Sequence, residues 1–170
     1  QEVKIGPSES MSKSKKNTID PEKIIETYGA DAARLFILSD SPPEKDVQWS
    51  DTGVSSANKF LQKIWNLNYE ISKKSIENKN YKNDNLIKSK INNFVNKIDN
   101  AINNFRFNVA IALFYEVYKV LRESADSDMN RQTLSENIIL IMKLMIPFTP
   151  HLAYECLELH GCKTVNQWPK

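Results

Sequence analysis

Ala57-Asn58-Lys59-Phe60-Leu61-Gln62-Lys63-Ile64-Trp65-Asn66-Leu67-Asn68-Tyr69-Glu70-Ile71 decides the fold class. Ala57, Phe60, Leu61, Ile64, Trp65 and Ile71 recur at three- and four-residue steps, which lines them up as one apolar stripe on a helix. The period returns downstream. Ile87, Ile91, Phe94, Ile98, Ala101 with Ile102, and Phe105 predict a second long helix after an Asn- and Lys-rich loop over about 78–85. Asn108 is placed to cap a third, running through Ala110, Leu113, Phe114, Val117 and Leu121. The acidic turn Glu123 to Asp128 separates it from Leu134, Ile138, Ile141, Met142 and Met145, a helix apolar nearly all round and so expected at the middle of a bundle. Pro147 and Pro150 break that helix, and a last one spans about His151 to His160, ending at Gly161. Alternating strand patterns are almost absent, so the fold class is all-α, a helical bundle.

Upstream the pattern is shorter and more broken. Residues 1–17 are polar, with a Gly6-Pro7 turn signal, and read as an exposed loop. Asp20-Pro21 opens a short helix to Tyr28, because the Asp carboxylate caps free amides and Pro at the first position forfeits no bond. Gly29 stops it, and a second short helix continues from about Asp31 through Leu38 until Ser41-Pro42-Pro43. The bundle is thus preceded by a short irregular loop and a small helical connecting segment, with the division placed between 1–50 and 51–170.

Composition bounds the function. With 170 residues, 41% apolar and 26% charged, the chain suits a compact soluble domain rather than a disordered or collagen-like one. Its net charge is +2, so a nucleic-acid face must come from local clustering. The richest apolar run, Ile138 to Phe148, is too short to span a bilayer, and no leader-like segment opens the chain, which together predict a cytoplasmic protein without membrane contact. Two cysteines and four glycines exclude a disulfide scaffold. Because it starts on Gln1 and stops after Trp168-Pro169-Lys170, the chain is expected to be a piece of a longer protein.

Two clusters carry chemistry. In Ser10-Met11-Ser12-Lys13-Ser14-Lys15-Lys16-Asn17, ammonium groups on a flexible strand can close over a polyphosphate while hydroxyls and backbone amides add hydrogen bonds; the plainer reading is a solvated linker. From Lys59 to Lys97 nine lysines face Glu70, Glu77 and Asp84, a net +6 that leaves −4 for the rest. That excess suits phosphates, although each lysine singly reads as a solvated face. Lys59 and Lys63 are four apart, opposite Phe60 and Ile64. His151, Cys156, His160 and Cys162 lack the paired spacing of a zinc site, and no metal is assigned to them. Trp49, Trp65 and Trp168 could stack on bases, but packing is the commoner use.

The order of these segments resembles a known family. Met11-Ser12-Lys13-Ser14-Lys15-Lys16-Asn17, then Ile19-Asp20-Pro21 and Tyr28-Gly29-Ala30-Asp31-Ala32-Ala33-Arg34-Leu35, is similar to the second signature of class I aminoacyl-tRNA synthetases and the segment after it. Pro42-Pro43-Glu44-Lys45-Asp46-Val47-Gln48-Trp49-Ser50-Asp51 resembles the bacterial-type leucyl enzymes within that class. Phe60-Leu61-Gln62-Lys63-Ile64-Trp65, Phe107-Asn108-Val109-Ala110-Ile111-Ala112 and Pro147-Phe148-Thr149-Pro150-His151-Leu152-Ala153 continue the likeness over essentially the whole chain. One departure stands out: the family's signature usually begins with lysine, where this chain has Ser10.

The resemblance implies that 1–50 hold the signature loop and stem-contact segment of the catalytic region, and 51–170 the helical anticodon-binding domain. It implies an ATP-binding loop of Ser10, Met11, Ser12, Lys13 and Ser14, with Lys13 as the catalytic cation on the phosphates. Lys59 and Lys63 are implied as tRNA contacts, and the whole enzyme as a monomer that joins leucine to tRNA(Leu) using ATP with Mg2+. No His-Ile-Gly-His-type nucleotide motif, leucine pocket or editing domain is present, so the chain alone is expected neither to bind these groups nor to act as a ligase. The alternatives are an isoleucyl or valyl relative, or a free-standing helical adaptor for RNA or protein.

Overall fold

The computed structural model describes residues 9–74, 84–127 and 129–169. Among them are seven helices and no strand: α1 (Pro21–Tyr28), α2 (Ala30–Asp40), α3 (Asp51–Lys73), α4 (Asp84–Asn103), α5 (Phe107–Asp126), α6 (Arg131–Met145) and α7 (Pro150–Leu159). The all-α class and the helical bundle expected from the periodicity are what the chain adopts.

The starts obey local chemistry. Asp20 accepts from the Glu22 amide with Pro21 in the first turn of α1, Ser50 accepts from the Gly53 amide at α3, and Asn130 accepts from the Gln132 amide at α6. α1 passes to α2 through Gly29 alone, at φ 82 and ψ 156, a conformation open essentially to glycine. At Gly53 the demand is space, since a Cβ there would lie 2.4 Å from Cε2 of Phe36. α2 thereby packs directly on the first turn of α3.

The core lies along α3, α5 and α6. Val54, Phe60, Ile64, Leu67 and Ile71 of α3 meet Ile111, Phe114, Val117 and Leu121 of α5 and Leu134, Ile138, Ile141 and Met145 of α6, all buried. Nine residues of α6 are buried, among them Lys143, which donates to Thr164 Oγ1 at 2.9 Å. The central place predicted for this helix is therefore the one it takes. α4 lies on α5 and α6, α7 on α3 and α6, and α2 on α3, α5 and α7. The expected division at residue 50/51 falls between α2 and α3, which share this core.

Four local expectations differ. Trp65 leaves the α3 stripe and is 37% exposed, while Leu67 and Asn68 are buried in its stead; Asn68 donates Nδ2 to the Ile64 carbonyl, and its Oδ1 has no partner among the described residues. Phe105 is not part of α4. It is the residue after the helix cap, left-handed at φ 56 and 67% exposed, and the amides of Phe105 and Arg106 close on the carbonyls of Ile102 and Ala101. These two bonds define a Schellman ending, with Phe where glycine is usual. The reversal is so tight that α5 starts at Phe107, so Asn108 lies inside the helix rather than capping it. At the far end α5 runs to Asp126, because Arg122 pairs both with Asp126 one turn on and with Glu70 of α3; the acidic stretch from Glu123 is its last turn. The expected 78–85 loop and Asp128 fall wholly or mostly outside the described residues.

α2 is fixed to the corner between α6 and α7 by two charged side chains. Arg34 Nε donates to the Phe148 carbonyl at 3.2 Å and Nη2 to the Pro147 carbonyl at 2.6 Å. Asp31, 7% exposed, accepts from the Leu152 amide at 2.8 Å. Thr149, the cap residue of α7, supplies no side-chain bond, so Asp31 does this from another helix. The anion sits at the helix end that favours it, the N-terminus of α7, while the guanidinium satisfies two carbonyls of the turn between α6 and α7.

Candidate phosphate loop and nucleic-acid interface

The loop 9–17 is shaped by its own side chains. The Ser12 amide donates to Asn17 Oδ1 at 2.8 Å, and Asn17 Nδ2 returns to the Ser10 carbonyl at 3.3 Å. The Lys16 amide closes a turn on the Lys13 carbonyl at 3.2 Å, with Lys16 left-handed at φ 53. Hydroxyls of Ser12 and Ser14 lie 3.2 Å apart, and the Lys15 amide donates to Ser12 Oγ. Lys15 is spent on Glu9 at 2.8 Å. Lys13 is exposed at the head of the turn, and among the described residues its ammonium has no partner. A loop that holds its shape through Asn17 while leaving the Lys13 and Lys16 ammoniums unpaired among the described residues suits an incoming phosphate.

Lys59 and Lys63 project from the solvent side of α3, one turn apart and both exposed, with the buried Phe60 and Ile64 behind them. Among the described residues neither has a carboxylate partner, whereas Lys88 pairs with Glu136 and Lys73 lies over the Tyr69 ring. Lys79 and Lys82 of the basic cluster fall outside the described residues. Beside the pair, Asn58, Leu61, Gln62, Trp65, Asn66 and Leu152 line an open groove of about 360 Å³ between α3 and α7. No hydrogen bond or ion pair among the described residues joins the loop to α3; the segment α1–α2 stands between them.

The sequence singles out neither this groove nor Asp31 and Arg34 as functional. Trp65 falls on the core stripe by its spacing, and only three amide side chains at positions 58, 62 and 66, at helical spacing beside it, signal a polar face there. Asp31 and Arg34 lie three apart on one helix, the spacing of a local ion pair, yet they serve a corner more than a hundred residues away.

The remaining chemistry-bearing residues are dispersed. Cys156 is fully buried, and burial pushes its thiol up to about 12, with Glu155 adding to the shift. His160 bonds Ser135 Oγ through Nδ1 at 2.8 Å, and burial, helped by Arg131, lowers its pKa to about 4. His151 is exposed, and Cys162 Sγ lies 3.8 Å from Thr164 Oγ1. Among the described residues no three His, Cys, Asp or Glu side chains gather as metal ligands. Trp49 donates to Asp51 and meets Phe36 edge-on, while Trp168 donates to Asp99, so both are engaged within the fold. No helix of the described residues is long and apolar enough to cross a membrane.

Comparison with known proteins matches two stretches of the chain. Residues 6–50 match the family model of class I tRNA synthetases (I, L, M and V), and residues 84–170 that of the anticodon-binding domain of tRNA ligases. The chain is 39% identical over 173 residues to the leucine–tRNA ligase of Hyphomonas neptunium, covering 99% of this chain and 20% of that protein. With the leucine–tRNA ligase of Ehrlichia chaffeensis it shares 38% over 179 residues, or 100% of this chain and 21% of that one. The chain thus spans about a fifth of the length of these curated relatives. A crystal structure of the ternary complex of Agrobacterium radiobacter K84 LeuRS with tRNA and LeuAMS superposes on 94% of this chain and 22% of its own, with a TM-score of 0.80 and 26% identity. With residues 84–170, just over half of its length, matching that model, the chain belongs to the family of anticodon-binding domains of tRNA ligases.

Proposed function

We propose that this chain is the part of a leucine–tRNA ligase that docks tRNA(Leu) and carries the loop closing on ATP. The likeness to leucine–tRNA ligases along 99% of its length carries this reading, and favours it over the isoleucyl, valyl and adaptor alternatives. In the whole enzyme, leucine attacks the α-phosphate of ATP and pyrophosphate leaves, before the leucyl group passes to tRNA. Negative charge builds on the transferring and leaving phosphates, so a cation held there lowers the barrier more than it tightens ground-state binding. Lys13 takes this role, being exposed and uncommitted where Lys15 is paired with Glu9. Ser10, Met11, Ser12 and Ser14 shape the loop, with Mg2+ arriving on the ATP phosphates. Lys59 and Lys63 contact tRNA phosphates, which position the nucleic acid without selecting its sequence.

In the whole enzyme, Lys13→Ala should lower the rate of leucine-dependent pyrophosphate exchange by roughly 10²-fold, the scale of losing one transition-state charge partner. The KM for leucine should change by no more than about threefold, since the lysine acts on phosphate rather than on the amino acid. An unchanged rate, or equal losses in rate and leucine affinity, contradicts the role.

A further inference from the structure

We propose that Asp31 and Arg34 are positioning residues that hold the tRNA-docking face in register with the phosphate loop, an inference that rests on the function proposed for the two sites. They share no direct bond, so whatever fixes their relative placement must pass through α1 and α2. α1 begins four residues after Asn17, and α2 comes next through Gly29 alone. From α2, Asp31 and Arg34 reach the corner where α6 ends and α7 begins. Leu152 joins the halves: its amide is held by Asp31, and its side chain lines the groove beside Trp65, Asn58 and Gln62. A change in the grip of Asp31 therefore moves a wall of the groove.

Packing alone does not ask for this pair. Ala32, Leu35 and Phe36 already bury α2 in the core. A buried carboxylate is costly, and Asp31 Oδ1 has no hydrogen-bond partner among the described residues. Apolar residues would hold the helix at least as tightly. What the charges add is direction, because a carboxylate on one amide and a guanidinium forked over two carbonyls accept a narrow range of angles. The nearest aromatic packing points to the same corner, where Phe148, whose carbonyl Arg34 holds, lies edge-on to Phe107 and Phe114.

The test uses the whole enzyme with Asp31→Ala, Arg34→Gln and the conservative variants Asp31→Asn and Arg34→Lys. Leucine-dependent pyrophosphate exchange without tRNA, kcat and KM for tRNA charging, and thermal melting are measured for each. The kcat for charging should fall by about tenfold or more in Asp31→Ala and Arg34→Gln, because small misplacements of a docked substrate cost rate steeply. Pyrophosphate exchange and the KM for tRNA should each stay within about threefold, since neither needs the two sites in register. Asp31→Asn, which keeps an acceptor for the Leu152 amide, should recover most of the loss. Parallel losses in exchange and charging, a rise in tRNA KM alone, or no change overturns the inference. Where the truncated variants fail to fold, Arg34→Lys decides by the same split, since it keeps the charge and gives up one of two carbonyls. Failure of the unmodified enzyme to charge tRNA with leucine would instead refute the functional reading.

Discussion

His160 shows how one residue couples burial to pH. Its ring donates to or accepts from Ser135 at Nδ1, while Nε2 is buried without a partner among the described residues. Burial first, and the nearby Arg131 charge second, favour the neutral ring, and the folded-state pKa falls to about 4 from the usual 6.5. In the unfolded chain the imidazole takes up its proton near 6.5, so the depressed value leaves stability intact above that pH. Stability is then lost as pH falls from 6.5 towards about 4, by up to roughly 1.4 kcal/mol per pH unit. Urea unfolding of the chain at pH 7, 6, 5 and 4 measures this against His160→Gln, which should show a shallower decline across the window. Carboxylates such as Glu136, whose pKa is lowered by its bonds to Gln132 and Lys88, titrate in both proteins and cancel in the comparison. Identical slopes would mean that the ring titrates normally. Nothing in the sequence announces this: His160 is legible as the end of a helix, but its partner Ser135 lies on another one.

At the scale of elements, periodicity is legible wherever a helix buries one clean face, and fails where chain reversals take over. α6 can be placed at the centre because apolar residues surround it, and α1 because Asp20, Pro21 and Gly29 mark its ends. Phe105 continues the α4 stripe in sequence only; the Schellman bonds to Ala101 and Ile102 end the helix before it. A left-handed phenylalanine costs about 1–2 kcal/mol relative to a residue without a Cβ, and exposure means its side chain returns little. Phe105→Gly should therefore stabilise the chain, by about 1 kcal/mol once the greater unfolded-state freedom of glycine is subtracted. Thermal or urea melts check the sign, and a destabilised variant would mean that the edge contact with Phe107 matters more than the backbone. On α3 the issue is charge. The pair Lys59 and Lys63 is legible because the stripe fixes which face is wet, whereas the groove is not, since Trp65 reads as core until its burial is known. Each phosphate contact adds about 0.7–0.9 to the slope of log affinity against log salt. Lys59→Ala with Lys63→Ala should flatten the slope for tRNA by roughly 1.5 units. Alanine keeps the helix, so circular dichroism should be unchanged, and coinciding slopes would reduce the pair to a solvated face.

For the molecule as a whole, the question is what a chain with one shared core and two separate sites can do alone. The core runs from Ala32 and Leu35 through α3, α5 and α6 to Cys156 and Leu157 of α7, so the connecting segment and the bundle bury their apolar residues together. Such a core should unfold in one cooperative transition, with the α2 and α7 ends lost together. The proposed nucleic-acid face lies within this unit, because Lys59 and Lys63 stand on α3 and the groove beside them is lined by α3 and α7. The proposed phosphate loop is expected to need more: Lys13 can meet a phosphate, but contacts to adenosine and leucine are expected from the rest of the enzyme. Binding energy from those missing contacts is what places the α-phosphate against the loop, and without it the cation has nothing to act on. The purified 170-residue chain should therefore bind tRNA, with affinity falling steeply as salt rises, and show no leucine-dependent pyrophosphate exchange. A filter-binding titration and an exchange assay on the same preparation separate the two activities. Exchange above background would place a catalytic centre within these residues, whereas loss of tRNA binding in a folded chain would place the docking surface elsewhere in the longer protein.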